Sequence, residues 1–401
     1  MNQPLFLHIV ERLEGFLGKL PESIQRPVLQ ELTPLKELFL KQRAPRFVLT
    51  GSHKLPVQEV FATCFAAAQP GDMRDVLMEV FRWQEVSVGG FGTVALLDAR
   101  GADEPAIRKI EEELKREGAD MFLHLVDGQS GRPVLSRDTD LLAAVVQLNQ
   151  NNPRAKIIGI SLVTPPRDAA GHEGGHPTVS DRPSAASKLE AALSGHVILR
   201  ERLLQVLELP LTSPSAETPQ ATPAARHLMS MLARELPNEA RVEMIRISRD
   251  REAQVQVAQI LVKSTSAIST AIGAQPIPLA DLPILTTLQL VMVSGIMYIA
   301  GRERSLRAAT EFVAALGVNV GAGMVLREGA RAVLKFFPGW GNVVCGMVAG
   351  AGTYALGRAA IVYFLEGVSL KDARRIYIRS RKKPPAPRLL TAKTEKSARK
   401  S

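Results

Sequence analysis

Cysteine is nearly absent: Cys64 and Cys345 are the only two in 401 residues, and they lie far apart. That usage excludes a disulfide framework and implies a reducing compartment. Aromatic residues are also few, at 5% of the chain. Tyr377 is the only one within the strongly basic stretch 371–401. Single-stranded nucleic acid needs aromatic stacking platforms beside its cations, so no nucleic-acid partner is expected. No G-x-S-x-G elbow occurs, and neither cysteine has a histidine close by in sequence. Nothing there proposes a nucleophilic active site. The opening MNQPLFLHIVERLEGFLGKL lacks a basic leader and carries Glu11 and Glu14 in its apolar part. It reads as an amphipathic helix, with Leu5, Ile9, Leu13, Phe16 and Leu17 on one side, and is expected not to act as a secretory signal.

Net charge is missing from most of the chain as well. Residues 371–401 hold twelve Lys/Arg against Asp372 and Glu395, a net +10 that equals the net charge of the whole protein. The remaining 370 residues therefore balance to zero, and the basicity belongs to a tail.

What is present is a globular composition, 46% hydrophobic and 22% charged, long enough for two domains. Residues 1–45 read as helices split near Pro21. Short apolar runs follow at FVLTG (47–51), VALLDARG (94–101), MFLHLVDG (121–128) and KIIGISLV (156–163). Helical patterns lie between them at 57–68, 104–117 and 138–150. This alternation predicts a parallel α/β sheet over 46–209, closed by helical residues 188–208. PLTSPSAETPQATP begins a Pro/Ser/Thr-rich linker over 210–225. Helical patterning without strand signals continues over 226–370, and the basic tail occupies 371–401.

A strand ending in glycine before a helix is where a phosphate loop G-x-x-x-x-G-K-[ST] would sit. Gly51 supplies the first glycine. Pro56 stands at the second, Val57 at the lysine and Gln58 at the hydroxyl position. Proline offers no N–H to a phosphate, valine no charge, and a glutamine amide is a poor substitute for a magnesium-bound hydroxyl. Lys54 is a cation three residues early. His172-Glu173-Gly174-Gly175-His176 matches the letters of the zincin motif, but two glycines and Pro177 oppose the helix that motif requires. It is read as coincidence. The other histidines, at 8, 53, 124, 196 and 227, have no ligand spacing and read as surface or core residues.

Residues 36–66, KELFLKQRAPRFVLTGSHKLPVQEVFATCFA, resemble the opening of Era-like GTPases, and RWQEVSVGGFGTVALLDARG resembles their segment leading to D-x-x-G. The resemblance implies a P-loop GTPase-like, Rossmann-like domain in which Asp98 and Gly101 keep the spacing used for magnesium and the γ-phosphate. The chain departs from that family elsewhere. The base-reading motif is replaced by Ser161-Leu-Val-Thr-Pro-Pro-Arg-Asp168, and residues 66–82 contain no Thr or Ser for a switch. A pseudo-GTPase without a cofactor, and not an enzyme, is therefore expected. The alternative is a divergent protein holding GTP and magnesium weakly through Gly51, Lys54, Asp98 and Gly101.

The C-terminal region has two charge-free runs, Ile284–Gly301 and Phe336–Gly357, the second rich in glycine. Gly346/Gly350 and Gly317/Gly321 have the spacing that permits close helix contact. The runs predict an all-α, membrane-associating domain, either peripheral or inserted as a helical hairpin. Gln275–Asp281, Lys335–Gly341 and Gly352–Gly357 resemble the YcjF-type domain of unknown function. That resemblance implies a bacterial, inner-membrane-associated protein, and the absence of an export signal together with the basic tail makes the cytoplasmic face the expected side. Anionic lipid, met by the tail and apolar helices, and a protein partner of unknown identity are the expected partners.

Overall fold

The computed structural model describes residues 25–26, 29–32, 35, 39, 41–52, 55, 81–88, 92–128, 134–163, 184–210, 222–274, 281–317 and 341–382. It divides into two compact units, one of residues 36–254 and the other of residues 1–35 with 255–401.

The first unit is built on a six-stranded sheet. Its strands are β1 (Arg46–Gly51), β2 (Trp83–Val88), β3 (Gly92–Asp98), β4 (Met121–Asp127), β5 (Lys156–Val163) and β6 (Leu203–Pro210), in the order β2-β3-β1-β4-β5-β6. All neighbours are parallel except β2, which runs antiparallel to β3. The sheet is thus mixed and not purely parallel as expected. Phe47, Val48 and Leu49 of β1 are buried, as befits a strand with parallel neighbours on both sides.

Helices α1 (Glu104–Arg116), α2 (Ser136–Leu148), α3 (Ala185–Gly195) and α4 (Val197–Arg200) connect the later strands. In α1, Asp103 accepts from the Ala106 N–H at 3.0 Å and caps the helix, while Lys115 and Arg116 face its negative end. Ala106, Ile110 and Leu114, one turn apart each, are its buried stripe. They join Val48, Leu97, Phe122, Leu142, Val146, Ile157 and Leu189 in one apolar core. The helix expected over 188–208 is corrected: it stops at Arg200, and 203–210 is strand β6, paired with β5. The helix expected over 57–68 and most of 1–45 lie outside the described residues.

Two further helices belong to this unit, α5 (Pro223–Glu235) and α6 (Asn238–Ser248). The sequence had placed them beyond a linker at 210–225, but the compact unit runs to Gln254. Buried Glu243 explains why. Its carboxylate accepts from the Thr93 N–H at 3.1 Å and from Gln42 Nε2 at 3.2 Å, tying α6 to β3 and to the chain before β1. Beside it, Arg43 donates to both oxygens of Asp120, at 2.6 and 2.7 Å.

The second unit takes up α7 (Arg251–Gly273) from Val255, with α8 (Asp281–Ile299), α9 (Leu306–Ala315), α10 (Gly341–Phe364) and α11 (Leu370–Lys382). No strand occurs among its described residues. Glycines set its packing. A Cβ on Gly346 would lie 2.6 Å from the Thr270 carbonyl oxygen. A Cβ on Gly350 would overlap the Thr270 hydroxyl, and one on Gly357 would overlap Val262 Cγ2. Close contact of α10 with α7 therefore requires glycine at these positions. The Gln289 amide of α8 donates to the Thr353 hydroxyl of α10 at 3.0 Å, satisfying a fully buried polar group.

Candidate functional site

The sheet order reverses about β1: the chain passes from β1 to the β2–β3 side, then crosses to β4 on the other. In open α/β sheets the crevice outside the carboxyl ends of the strands at such a reversal is the usual ligand position. Leu49 pairs with Asp98 across β1 and β3, so Gly51 and Asp98 end adjacent strands at this crevice.

Their local roles are specific. Gly51 has φ of +103°, and a Cβ there would overlap the carbonyl oxygen of Leu125 on β4. Only glycine fits, for reasons of strand packing that need no phosphate. Gly101 has φ of +65° and is exposed in the turn after β3. Lys54, Pro56, Val57 and Gln58 lie outside the described residues, as do Asp168 and the His172–His176 segment.

Asp98 is buried, and its carboxylate is taken by Arg100. Oδ1 accepts from Arg100 Nε at 2.8 Å and from the Arg100 N–H at 3.1 Å, and Oδ2 accepts from Arg100 Nη2 at 2.7 Å. The same guanidinium donates through Nη1 to the Leu55 carbonyl oxygen at 3.0 Å, which ties the chain after β1 to the end of β3. Side-chain exposure of Arg100 and Asp98 is 7% and 6%, so the pair is withdrawn from solvent. A carboxylate offers about four lone-pair positions, and three are used here. Separating a buried pair leaves an uncompensated charge, so a competing cation at Asp98 must displace Arg100 against that cost.

Behind the crevice, in the centre of the sheet, lies a polar group that sequence reasoning treated as filler. The Thr50 hydroxyl lies 3.0 Å from His124 Nδ1, and both residues are fully buried. Burial lowers the His124 pKa to about 4, so its ring is neutral near neutral pH. His124 Nε2 and the Ser161 hydroxyl have no partner among the described residues. The apolar neighbours of His124 in the strand MFLHLVD were the available sign that it is a core residue.

No family model matches the chain. A stretch of it is similar to magnetosome membrane protein 22 of Magnetospirillum gryphiswaldense. The two are 30% identical over 132 residues, covering 30% of this chain and 66% of that protein. The chain thus spans just under two thirds of this relative's length. A membrane-protein relative is compatible with membrane association of this chain. Among the described residues, however, no helix is long and apolar enough to cross a membrane. The crossing hairpin expected from 284–301 and 342–357 therefore finds no such helix here. Within 342–357, Gly346 and Gly350 are accounted for by packing against α7, as is Gly357 at its end. Among the described residues no cluster of His, Cys, Asp and Glu could hold a metal ion.

Proposed function

We propose that this protein is a pseudo-GTPase, an interaction or scaffolding module of GTPase-like fold held at the cytoplasmic face of a bacterial membrane. The observation that carries the reading is the fate of Asp98. It is the surviving acid of D-x-x-G, and an internal guanidinium already neutralises it. Gly51 supports the same reading, because its need for glycine comes from the Leu125 carbonyl and not from a phosphate. The substitutions Pro56, Val57 and Gln58 remove the donors that a nucleotide would require. Magnetosome membrane protein 22 and the basic tail support peripheral attachment to a membrane. A partner protein would then dock on the α/β domain.

Calorimetry of the full chain with GTP, GDP and ATP, each with and without magnesium, tests this. No binding tighter than millimolar is expected. A micromolar, magnesium-dependent Kd for GTP would replace the proposal by the divergent GTP-binding alternative, with GTP switching membrane attachment.

A further inference from the structure

The tail's basic charge begins on a packed helix. Helix α11 reads LKDARRIYIRSRK. Ala373 and Tyr377, one turn apart, are its buried positions, at 0% and 7% exposure. Lys371, Arg374, Arg375, Ile378 and Arg379 are all exposed. Their spacing of i, i+3, i+4, i+7 and i+8 places them on one face of the helix, opposite the buried pair. The face therefore carries four cations around one exposed apolar side chain. Ile378 is 45% exposed.

Among the described residues little discharges this face. Arg375 donates to Asp372 Oδ1 at 3.0 Å, and the Ser369 hydroxyl donates to Asp372 Oδ2 at 2.7 Å. Asp372 is the one acid within the helix. Lys371 and Arg379 make no ion pair among the described residues. The pattern is that of a helix lying in an interface, with cations for headgroups and branched side chains for the acyl boundary.

Building on the membrane-associated reading above, we infer that the outward face of α11 is the surface that docks on an anionic bilayer. Lys371, Arg374, Arg375 and Arg379 meet the headgroups, and Ile378 enters beneath them. Because α11 is folded against its unit through Ala373 and Tyr377, the face is presented ready-made. Residues 383–401 then add charge without choosing the orientation. An acidic protein is the other partner such charge would attract, but a bilayer alone rewards the apolar centre of the face over a continuous plane.

Sedimentation of the full chain with vesicles of phosphatidylglycerol and phosphatidylcholine, against phosphatidylcholine alone, tests the inference. The protein should bind the anionic vesicles and release progressively with salt. The double variant K371Q/R379Q should bind roughly twenty-five-fold more weakly, about fivefold for each cation removed near the surface. I378S should bind more weakly by a factor that salt does not change. Removing residues 383–401 should weaken binding but leave it sensitive to K371Q/R379Q. Circular dichroism matching wild type shows that these variants remain folded. If K371Q/R379Q binds like wild type while loss of 383–401 abolishes binding, the docking face is wrong and the membrane reading stands. If wild type binds neither vesicle, both fall.

Discussion

The two units hide their interiors in opposite ways. The α/β unit packs large apolar side chains, among them Phe47, Phe122, Leu97 and Ile110, all at or near 0% exposure. Within that core it sets a few polar groups, the Asp98–Arg100 pair and the Thr50–His124 contact. The helical unit closes its α7–α10 seam with Gly346, Gly350 and Gly357 against Val262, Ser266 and Thr270. Ser266 and Thr270 turn their hydroxyls onto the carbonyls of Val262 and Ser266, at 2.6 and 2.8 Å. One interior depends on volume filled and on charges matched. The other depends on how near two backbones can come. A glycine-rich apolar run is thus a signature of close helix contact before it is a signature of lipid.

The comparison breaks most visibly at Arg100. Arg100→Ala should destabilise the α/β unit by about 3–5 kcal/mol, because Asp98 is left buried and unpaired. Removing both partners, as in D98L/R100M, should recover most of that loss. Urea denaturation followed by circular dichroism reads both. A single variant no worse than the double would mean that the pair is not a matched unit.

His124 gives the next effect, and its sign follows from burial. Its folded pKa of about 4 lies below the ordinary value of 6.5, so the folded state disfavours the proton. Its contribution is intact above pH 6.5 and is lost as pH falls toward 4, with a total on the order of 3 kcal/mol. Thermal melts between pH 7 and 4 should show this slope for wild type. H124N, which retains a partner for Thr50, should flatten it. An unchanged slope in H124N would assign the acid sensitivity to other groups.

The smallest effects sharpen the comparison inside one helix. Gly357→Ala should destabilise the helical unit by about 1–3 kcal/mol, since the new methyl overlaps Val262, whose β-branched side chain has little freedom to move. Gly352 has nothing within 4 Å of its would-be Cβ. Gly352→Ala should instead stabilise by up to about 1 kcal/mol through helix propensity alone. Equal effects at the two positions in chemical denaturation would deny that close contact selects the glycines.

Much of the α/β architecture was legible. Strands β1, β3, β4 and β5 are apolar runs closed by turn signals, and α1 carries a 3.6-residue stripe that survives in the fold. Strand β6 was misread for a physical reason. In LLQVLELP the apolar residues 203, 204, 206, 207 and 209 fit one helix face as well as they fit a strand. Pairing with Ile157–Val163, a contact remote in sequence, decides the matter. The unit boundary was missed because the bonds of Glu243 to Gln42 and Thr93 span 201 and 150 residues. At the crevice, the apolar runs that end at Gly51 and Asp98 were legible as strands. The capture of Asp98 was not. Arg100 counts as a spacer in D-x-x-G, and its role depends on a side-chain direction and on the Leu55 carbonyl.

Arg100 also sets what this corner of the molecule can respond to. A cation bound from solution comes and goes with its concentration, and a chelator or an empty nucleotide pool removes it. The guanidinium at Asp98 is tethered two residues away, at an effective concentration that dilution, dialysis and metabolism leave unchanged. A switch needs an outside ligand with unequal affinity for two states. At Asp98 such a ligand would first have to displace Arg100.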